Sequence, residues 1–142
     1  MSMLRILAFD VGEKRIGVAV SDPLGITAQG IETYHRTEDL EQDVAHLIKL
    51  ANSYKPVKIV FGLPRNMDGS YGFQAQITRE FADAVLAKWD GDHAFQDERL
   101  TTASARRVLI EADVSREKRK QVIDKVAAVV ILQGYLDAHG NT

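Results

Sequence analysis

The sequence contains no cysteine, which excludes disulfide bonds, thiolate zinc sites and cysteine nucleophiles. Prolines number only three, and apolar residues make up 45% of the chain, so the composition is not that of a disordered segment. The longest apolar run, Val126–Leu132, is far shorter than the roughly 18 residues that a membrane-spanning helix needs. We therefore expect a cytoplasmic protein that folds as a single domain over residues 1–142.

No strong charge of one sign dominates, because 18 basic and 20 acidic residues leave a net charge of −2. Net charge alone therefore neither favours nor excludes a polyanionic partner. The basic residues are nevertheless concentrated in the last third of the chain, where Arg116, Lys118, Arg119 and Lys120 cluster. This cluster is a modest basic patch. It either contacts phosphate groups or is simply a solvated loop.

Three consecutive segments near the amino terminus have the period-two or apolar patterns of β-strands. They cover Leu4–Phe9, Arg15–Ser21 and Gly25–Tyr34, and a tight turn is expected between the first two. In the third, we expect Ala28 and Gly30 on one face and Gln29, Ile31 and Thr33 on the other. The segments predict an antiparallel meander.

Helical spacing then alternates with short β-rich runs along the rest of the chain. The pattern predicts an α/β fold in the order βββαβαβαα, with a five-stranded mixed sheet and helices on both faces. Active sites in such sheets lie near the carboxyl ends of parallel strands. The predicted helices are Glu38–Tyr54 with Thr37 as its cap, Phe73–Trp89, Ala103–Ala112 and Gln121–Ala138, and the added strands are Val57–Leu63 and His93–Gln96.

Asp10 is the first candidate for chemistry, because it ends an apolar strand and precedes Gly12. The small residues around it leave room for a metal ion or a phosphate to approach. Asp-x-Gly sequences also occur as plain hairpin turns in which the carboxylate accepts hydrogen bonds from backbone amides, so this motif alone leaves both interpretations open.

Asp124 is the second candidate, because it lies in a helix that is apolar almost all round and is therefore expected to be largely buried. Its helical face includes Ala127, Ala128 and Ile131. A buried carboxylate needs a partner, which is either a bound cation or an arginine of the chain.

Asp97 and Glu98 end the last predicted strand, and only one of the two can share a face with Asp10. Alternation does not decide between them, and a carboxylate paired with Arg99 is the structural alternative. Together with Asp10 and Asp124, one of them would form an all-oxygen site, which favours Mg²⁺ or Mn²⁺ over zinc. Paired ions of this kind activate water in phosphodiester hydrolysis.

Polar residues and a turn follow the fourth predicted strand in the segment Gly62–Ser70. Side chains and free backbone amides of this kind suit a loop that contacts substrate. The same composition also fits a simple connection between a strand and a helix.

Four blocks of the sequence, in order and spanning nearly its whole length, resemble the YqgF (RuvX) family. The resemblance implies a ribonuclease-H-like fold and a nuclease first likened to Holliday junction resolvases and associated with processing the 5′ end of pre-16S ribosomal RNA. Arg65 departs from the family pattern, in which that position is often apolar. The four blocks are Leu7–Ala19, Gly62–Pro64 with Asn66–Gly69, Asp97–Thr102 and Asp124–Gln133.

Carried over by position, the family's acidic triad falls on Asp10, Glu98 and Asp124, which implies the choice of Glu98 over Asp97. The implied cofactor is Mg²⁺ or Mn²⁺, and the implied partners are pre-ribosomal RNA or branched DNA, a ribosomal or transcription-complex protein, and a second copy in a homodimer. The residues expected to contact substrate are Asn66, Asp68, Gly69, Arg99, Thr101, Thr102, Lys118, Arg119 and Lys120.

Two other classes of function share some of these features. Asp10, Gly12 and Gly17 also resemble the first phosphate loop of the actin, Hsp70 and sugar-kinase superfamily, but those proteins close two such domains around a nucleotide and this chain has the length of one. A non-catalytic nucleic-acid-binding module would keep the basic cluster and use the carboxylates only structurally. Such a module has no evident need for a carboxylate on a buried helix.

Overall fold

The computed structural model describes residues 5–64, 70–98 and 116–139, and it describes residue 98 and residues 116–124 by their backbone only. Strands and helices form an α/β arrangement. The strands are β1 (Ile6–Val11), β2 (Arg15–Ser21), β3 (Ala28–His35), β4 (Lys58–Pro64) and β5 (Asp92–Glu98), and the helices are α1 (Leu40–Tyr54), α2 (Phe73–Leu86) and α3 (Arg116–His139).

The five strands form one mixed sheet in the order β3-β2-β1-β4-β5. β2 is antiparallel to β1 and to β3, whereas β4 is parallel to both β1 and β5. The mixed sheet predicted from the sequence is therefore confirmed. Because β1, β4 and β5 run in the same direction, their last residues lie along one edge, which we call the carboxyl edge.

One face of the sheet packs against α1 and α2 around large aromatic side chains. Phe9 and Phe61 meet in an edge-to-face arrangement with ring centroids 5.8 Å apart, and Phe81 of α2 and Leu47 of α1 complete this core. The apolar positions of both helices recur at helical spacing, which is why each helix buries one stripe against the sheet.

The other face packs against α3 and is built from smaller residues. Ala8 and Ala19 are fully buried beneath Ala128 and Leu132 of the helix. Small side chains on both sides allow the helix to lie close to the strands. The side of α3 that faces the sheet is buried as expected for this apolar helix, but Val130 is 44% exposed, because the helix covers a single sheet and presents its opposite side to solvent.

A bulge in β3 changes the predicted alternation of its side chains. Gly30 pairs with Ala19 and Glu32 pairs with Val18, which leaves Ile31 as an extra residue. A bulge of this type reverses the parity of the residues that follow. Glu32 and Tyr34 therefore reach α1 and its surroundings, together with Ile31, instead of lying on the face of Ala28.

Several predicted helix ends differ from the observed ones. The N-cap of α1 is Asp39, whose carboxylate accepts a hydrogen bond from the Glu41 amide at 3.0 Å, and not Thr37. Helix α2 ends at Leu86, three residues before Trp89. Helix α3 begins at Arg116, so the basic cluster forms its first turns and is not a loop. The helix predicted over residues 103–112 lies outside the described residues.

None of the described helices combines the length and the apolar character needed to cross a membrane.

Candidate active site

Asp10 is the penultimate residue of β1 and lies at the carboxyl edge in the middle of the sheet. Its backbone pairs with Gly17 of β2, so the strand ladder fixes its position. Ala8, two residues earlier, packs against α3. Because side chains alternate along a strand, the half-buried carboxylate of Asp10 lies on the α3 face.

The turn after Asp10 is tight and depends on glycine. The amide of Gly12 donates a hydrogen bond to the carbonyl oxygen of Arg15 at 2.9 Å. A β-carbon at position 12 would lie 2.9 Å from that same oxygen. Glycine at position 12, two residues after Asp10, is thus required by the geometry of the turn.

Positions 97 and 98 of β5 alternate between the two faces of the sheet. Asp97 follows the parity of Phe95, whose ring lies tilted against that of Phe61 in the α1–α2 core, with the centroids 5.7 Å apart. Asp97 Oδ1 accepts a hydrogen bond from the Tyr71 hydroxyl at 3.0 Å. Position 98 has the parity of Ala94, which packs against the α3 core. The register supports Glu98 as the residue on the face of Asp10.

Helix α3 runs antiparallel to β1, as its side-chain contacts show. Near its end, the Tyr135 hydroxyl accepts a hydrogen bond of 2.6 Å from Lys58 Nζ, at the start of β4. Lys125, ten residues earlier, lies over Gly30 of β3, where an added β-carbon would be 2.6 Å from Lys125 Cγ. The first half of α3 therefore extends towards the carboxyl edge.

Position 124 lies one turn before Ala128 on the stripe of α3 that faces the sheet. Position 98 lies two strands from Asp10, which corresponds to about 10 Å at the usual strand spacing. The backbone therefore places positions 10 and 98 on the same edge and the same face of the sheet, and position 124 on the helix that covers that face.

Three carboxylates would provide the hard oxygen donors that Mg²⁺ and Mn²⁺ prefer. Among the side chains that the structure describes, no three acidic or histidine groups gather as a metal site. The side chains of Glu98 and Asp124 are not in that set, so the fit of a divalent ion rests on donor chemistry and on backbone placement.

The residues predicted to contact substrate divide into two groups. Those of the loop and of the segment after β5 lie outside the described residues, namely Asn66, Asp68, Gly69, Arg99, Thr101 and Thr102. Lys118, Arg119 and Lys120 lie in the first two turns of α3, about 6–9 Å along the helix axis from position 124. The backbone thus places the basic cluster within two helical turns of position 124.

A charged cluster that the sequence analysis missed supports the turn after Asp10 from the other face. Arg36 Nη1 donates to the Gly12 carbonyl oxygen at 2.9 Å, and Arg36 Nε lies 3.3 Å from Asp43 Oδ2. Asp43 is fully buried and also accepts hydrogen bonds from the Tyr34 hydroxyl and from the amide and hydroxyl of Thr37. No local motif indicates this cluster, because its members come from β3, the segment that follows it and α1, and they meet the turn after β1 only in the folded chain.

Burial alone would raise the pKa of Asp43, but the hydrogen bonds from Thr37, Tyr34 and Arg36 outweigh it and lower the pKa below the ordinary value. Asp43 therefore stays ionised and is matched by the Arg36 guanidinium. A cavity of about 290 Å³ opens beside this pair, on the face opposite Asp10, and is lined by Glu13, Arg36, Thr37, Leu40, Ile77, Glu80 and Phe81.

The sheet order, the helices on both faces and the carboxyl-edge position of Asp10 define an α/β protein of the ribonuclease-H-like class. A solved structure described as T. thermophilus RuvC in complex with Holliday junction substrate matches with a TM-score of 0.59 over 96% of both chains, at 9% identity. That likeness shows the fold.

The chain belongs to the RuvX family, whose model carries the description Holliday junction resolvase and matches residues 4–138. A protein of Clostridium tetani named "Putative pre-16S rRNA nuclease" is 49% identical over 135 residues, which cover 95% of this chain and 97% of that one. A protein of Moorella thermoacetica with the same name is 55% identical over 137 residues, covering 96% and 97%. Membership in the family that the four sequence blocks resemble is thus confirmed.

Proposed function

We propose that this protein is a divalent-metal-dependent nuclease that hydrolyses phosphodiester bonds and processes the 5′ end of pre-16S ribosomal RNA. The observation that carries the proposal is the placement of Asp10 at the carboxyl edge of the central strand β1, on the face covered by α3. The substrate in this proposal is taken from the names of relatives that are about half identical to this chain.

Asp10, Glu98 and Asp124 would hold Mg²⁺ or Mn²⁺ in this proposal. Three carboxylates from β1, β5 and α3 suit hard cations in charge and in donor type. When bound, a pair of such ions activates a water molecule and stabilises the leaving oxygen of the phosphodiester.

The chain itself would supply position and charge. The ladder between β1 and β2 holds Asp10 at a fixed place on the edge, and the β4–β5 ladder does the same for position 98 through its pairing with Pro64. Lys118, Arg119 and Lys120 would contact the phosphates of the substrate and fix its register. Asn66, Asp68, Gly69, Arg99, Thr101 and Thr102 would contact it from the two neighbouring segments.

The test compares the wild type with Asp10→Asn on end-labelled precursor ribosomal RNA and on a synthetic four-way DNA junction, each with Mg²⁺, Mn²⁺ or EDTA. We expect metal-dependent cleavage of the RNA by the wild type and none by Asp10→Asn. Asp39→Asn, which changes an exposed carboxylate at the start of α1, is the matched control and should cleave normally. Equal cleavage by Asp10→Asn would refute the assignment.

A junction-resolving DNA nuclease is the second candidate, and the description of the family model favours it. Cleavage of the junction in preference to the RNA would select this function. Metal-independent binding of RNA without cleavage by either protein would instead indicate a non-catalytic module.

We further propose that residues 1–142 act as one domain in the cytoplasm, where the precursor RNA is found. A homodimer and a ribosomal or transcription-complex partner stay predictions. Sedimentation of the purified protein, with and without RNA, measures the first of them directly.

A further inference from the structure

We propose that Arg36 is a positioning residue for the nuclease reaction: held by buried Asp43, it fixes the turn that follows Asp10 and so sets the affinity of the site for its divalent ion. The inference rests on the proposed function.

Arg36 contacts the turn at two points on its backbone. Its amide donates to the Lys14 carbonyl oxygen at 2.8 Å, and its guanidinium donates to the Gly12 carbonyl oxygen at 2.9 Å. The turn itself closes through the hydrogen bond from Gly12 to Arg15. Two backbone carbonyls within four residues of Asp10 are thus held by one residue that follows β3, the Lys14 carbonyl through its amide and the Gly12 carbonyl through its side chain.

The guanidinium is itself held in one orientation. Its Nε faces the Asp43 carboxylate at 3.3 Å, and its central carbon lies 5.0 Å from the centre of the Phe81 ring. Only 16% of the Arg36 side chain is exposed, and Asp43 is not exposed at all. A planar guanidinium can meet a carboxylate, a carbonyl and a ring face together, which the single ammonium group of lysine cannot do.

The cluster lies on the face opposite the Asp10 carboxylate, so Arg36 reaches the site only through the backbone of the turn. Residues that hydrogen-bond directly to metal ligands change metal affinity by about 10–100-fold when they are replaced, and for a residue that acts through the backbone of the turn we expect the lower end of that range. A role limited to folding would change thermal stability without a selective change in the metal concentration that the reaction requires.

The experiment measures Mn²⁺ binding by titration calorimetry, and kcat together with the KM for Mn²⁺ in RNA cleavage, for the wild type, Arg36→Lys and Arg5→Lys. Arg5 is the matched control, because its guanidinium also lies over an aromatic ring, that of Tyr54 at 5.8 Å, but at the opposite end of β1. We expect Arg36→Lys to weaken Mn²⁺ binding and raise the KM for Mn²⁺ about tenfold or more, with a smaller change in kcat. Arg5→Lys should match the wild type.

Tyr34→Phe is the second variant, should Arg36→Lys fail to fold. It removes one hydrogen bond to Asp43 and keeps the ring, and we expect a shift in Mn²⁺ affinity in the same direction but smaller. Wild-type Mn²⁺ affinity in a folded Arg36→Lys, or in Tyr34→Phe where Arg36→Lys does not fold, would overturn the inference alone. A wild-type protein that neither binds Mn²⁺ nor cleaves RNA would overturn the proposed function and this inference together.

Discussion

The hydroxyl of Tyr71 donates a hydrogen bond to Asp97 Oδ1 at 3.0 Å, which ties the penultimate residue of β5 to the segment just before α2. Asp97 is therefore engaged on the α2 side of the sheet. Position 98, the next residue, has the parity of the α3 side. The positions of these two adjacent acidic residues thus lie on different faces of the sheet, and the two residues offer an internal comparison.

Glu98→Gln should reduce metal-dependent cleavage by at least about a hundredfold. Replacing even a residue that only hydrogen-bonds to a metal ligand typically lowers metal affinity or activity by about 10–100-fold. Asp97→Asn should retain activity within a few-fold, since its carboxylate points away from the α3 face. Initial cleavage rates at saturating Mn²⁺ measure both. The reverse order of effects would show that Asp97 is the member of the site.

The strands could be predicted from the sequence because short apolar or period-two runs are bounded by turn residues, but strand alternation alone could not decide which acidic position of β5 lies on the α3 face. That choice depends on how β5 pairs with β4, and the pairing of Leu63 with Asp97 is a relationship between distant segments. The bulge at Ile31 could likewise not be predicted, because it arises from the pairing of β3 with β2 and not from the sequence of β3 alone.

Asp43→Asn should lower the free energy of unfolding at pH 7 by about 3 kcal/mol, because it leaves the Arg36 guanidinium without its buried counter-charge. The folded-state pKa of Asp43 lies below its ordinary value of 3.8. Its contribution to stability is therefore complete above pH 3.8 and is lost as the pH falls through the folded pKa. Urea unfolding at pH 7 and at pH 3 should show the gap between wild type and variant closing in acid.

Glu32→Gln is the control for that prediction, since Glu32 forms a partly exposed pair with His46 at 2.9 Å. Its effect should stay within about 1 kcal/mol. An Asp43→Asn variant as stable as Glu32→Gln at pH 7 would contradict the predicted contribution of the Arg36–Asp43 pair to the free energy of unfolding.

Gly12→Ala should destabilise the protein by about 1–3 kcal/mol, because the new methyl group meets the Arg15 carbonyl oxygen, a backbone atom that cannot turn aside. Gly134→Ala should instead stabilise it by about 0.5–1 kcal/mol. Position 134 is inside α3, and there a β-carbon meets only Gln96 Nε2 at an ordinary 3.5 Å. Thermal unfolding of the two variants should move in opposite directions from the wild type.

Replacing Lys118, Arg119 and Lys120 by glutamine should flatten the salt dependence of RNA binding. Each phosphate contact on a single strand contributes about 0.7 to the slope of log K against log salt, so three lost contacts reduce it by about 2. The control is the same change at three exposed lysines, Lys49 within α1, Lys55 just after α1 and Lys88 just after α2. This change should leave the slope nearly unchanged. Equal slopes for the two triple variants would remove the basic cluster from the interface.

Asp10 is the candidate site residue that a local motif was sufficient to predict. An apolar strand followed by Asp-x-Gly was enough to place a carboxylate at a strand end, and β1 does bring it to the carboxyl edge. Arg36 and Asp43 were overlooked because an arginine after a strand and an aspartate in the first turn of a helix are ordinary at the surface. Their significance appears only when Gly12 is found beside them.

β5 lies at the margin of the sheet, and in the described part of the chain it pairs with β4 alone. An antiparallel copy added to that margin about Phe95 would set Asp92 of each molecule opposite Glu98 of the other, and like charges directly opposite each other are unfavourable. Charged residues on such margins are a common protection against uncontrolled strand addition between molecules. Acidic residues at both ends of β5 would thus disfavour pairing of the strand with a second copy in this register.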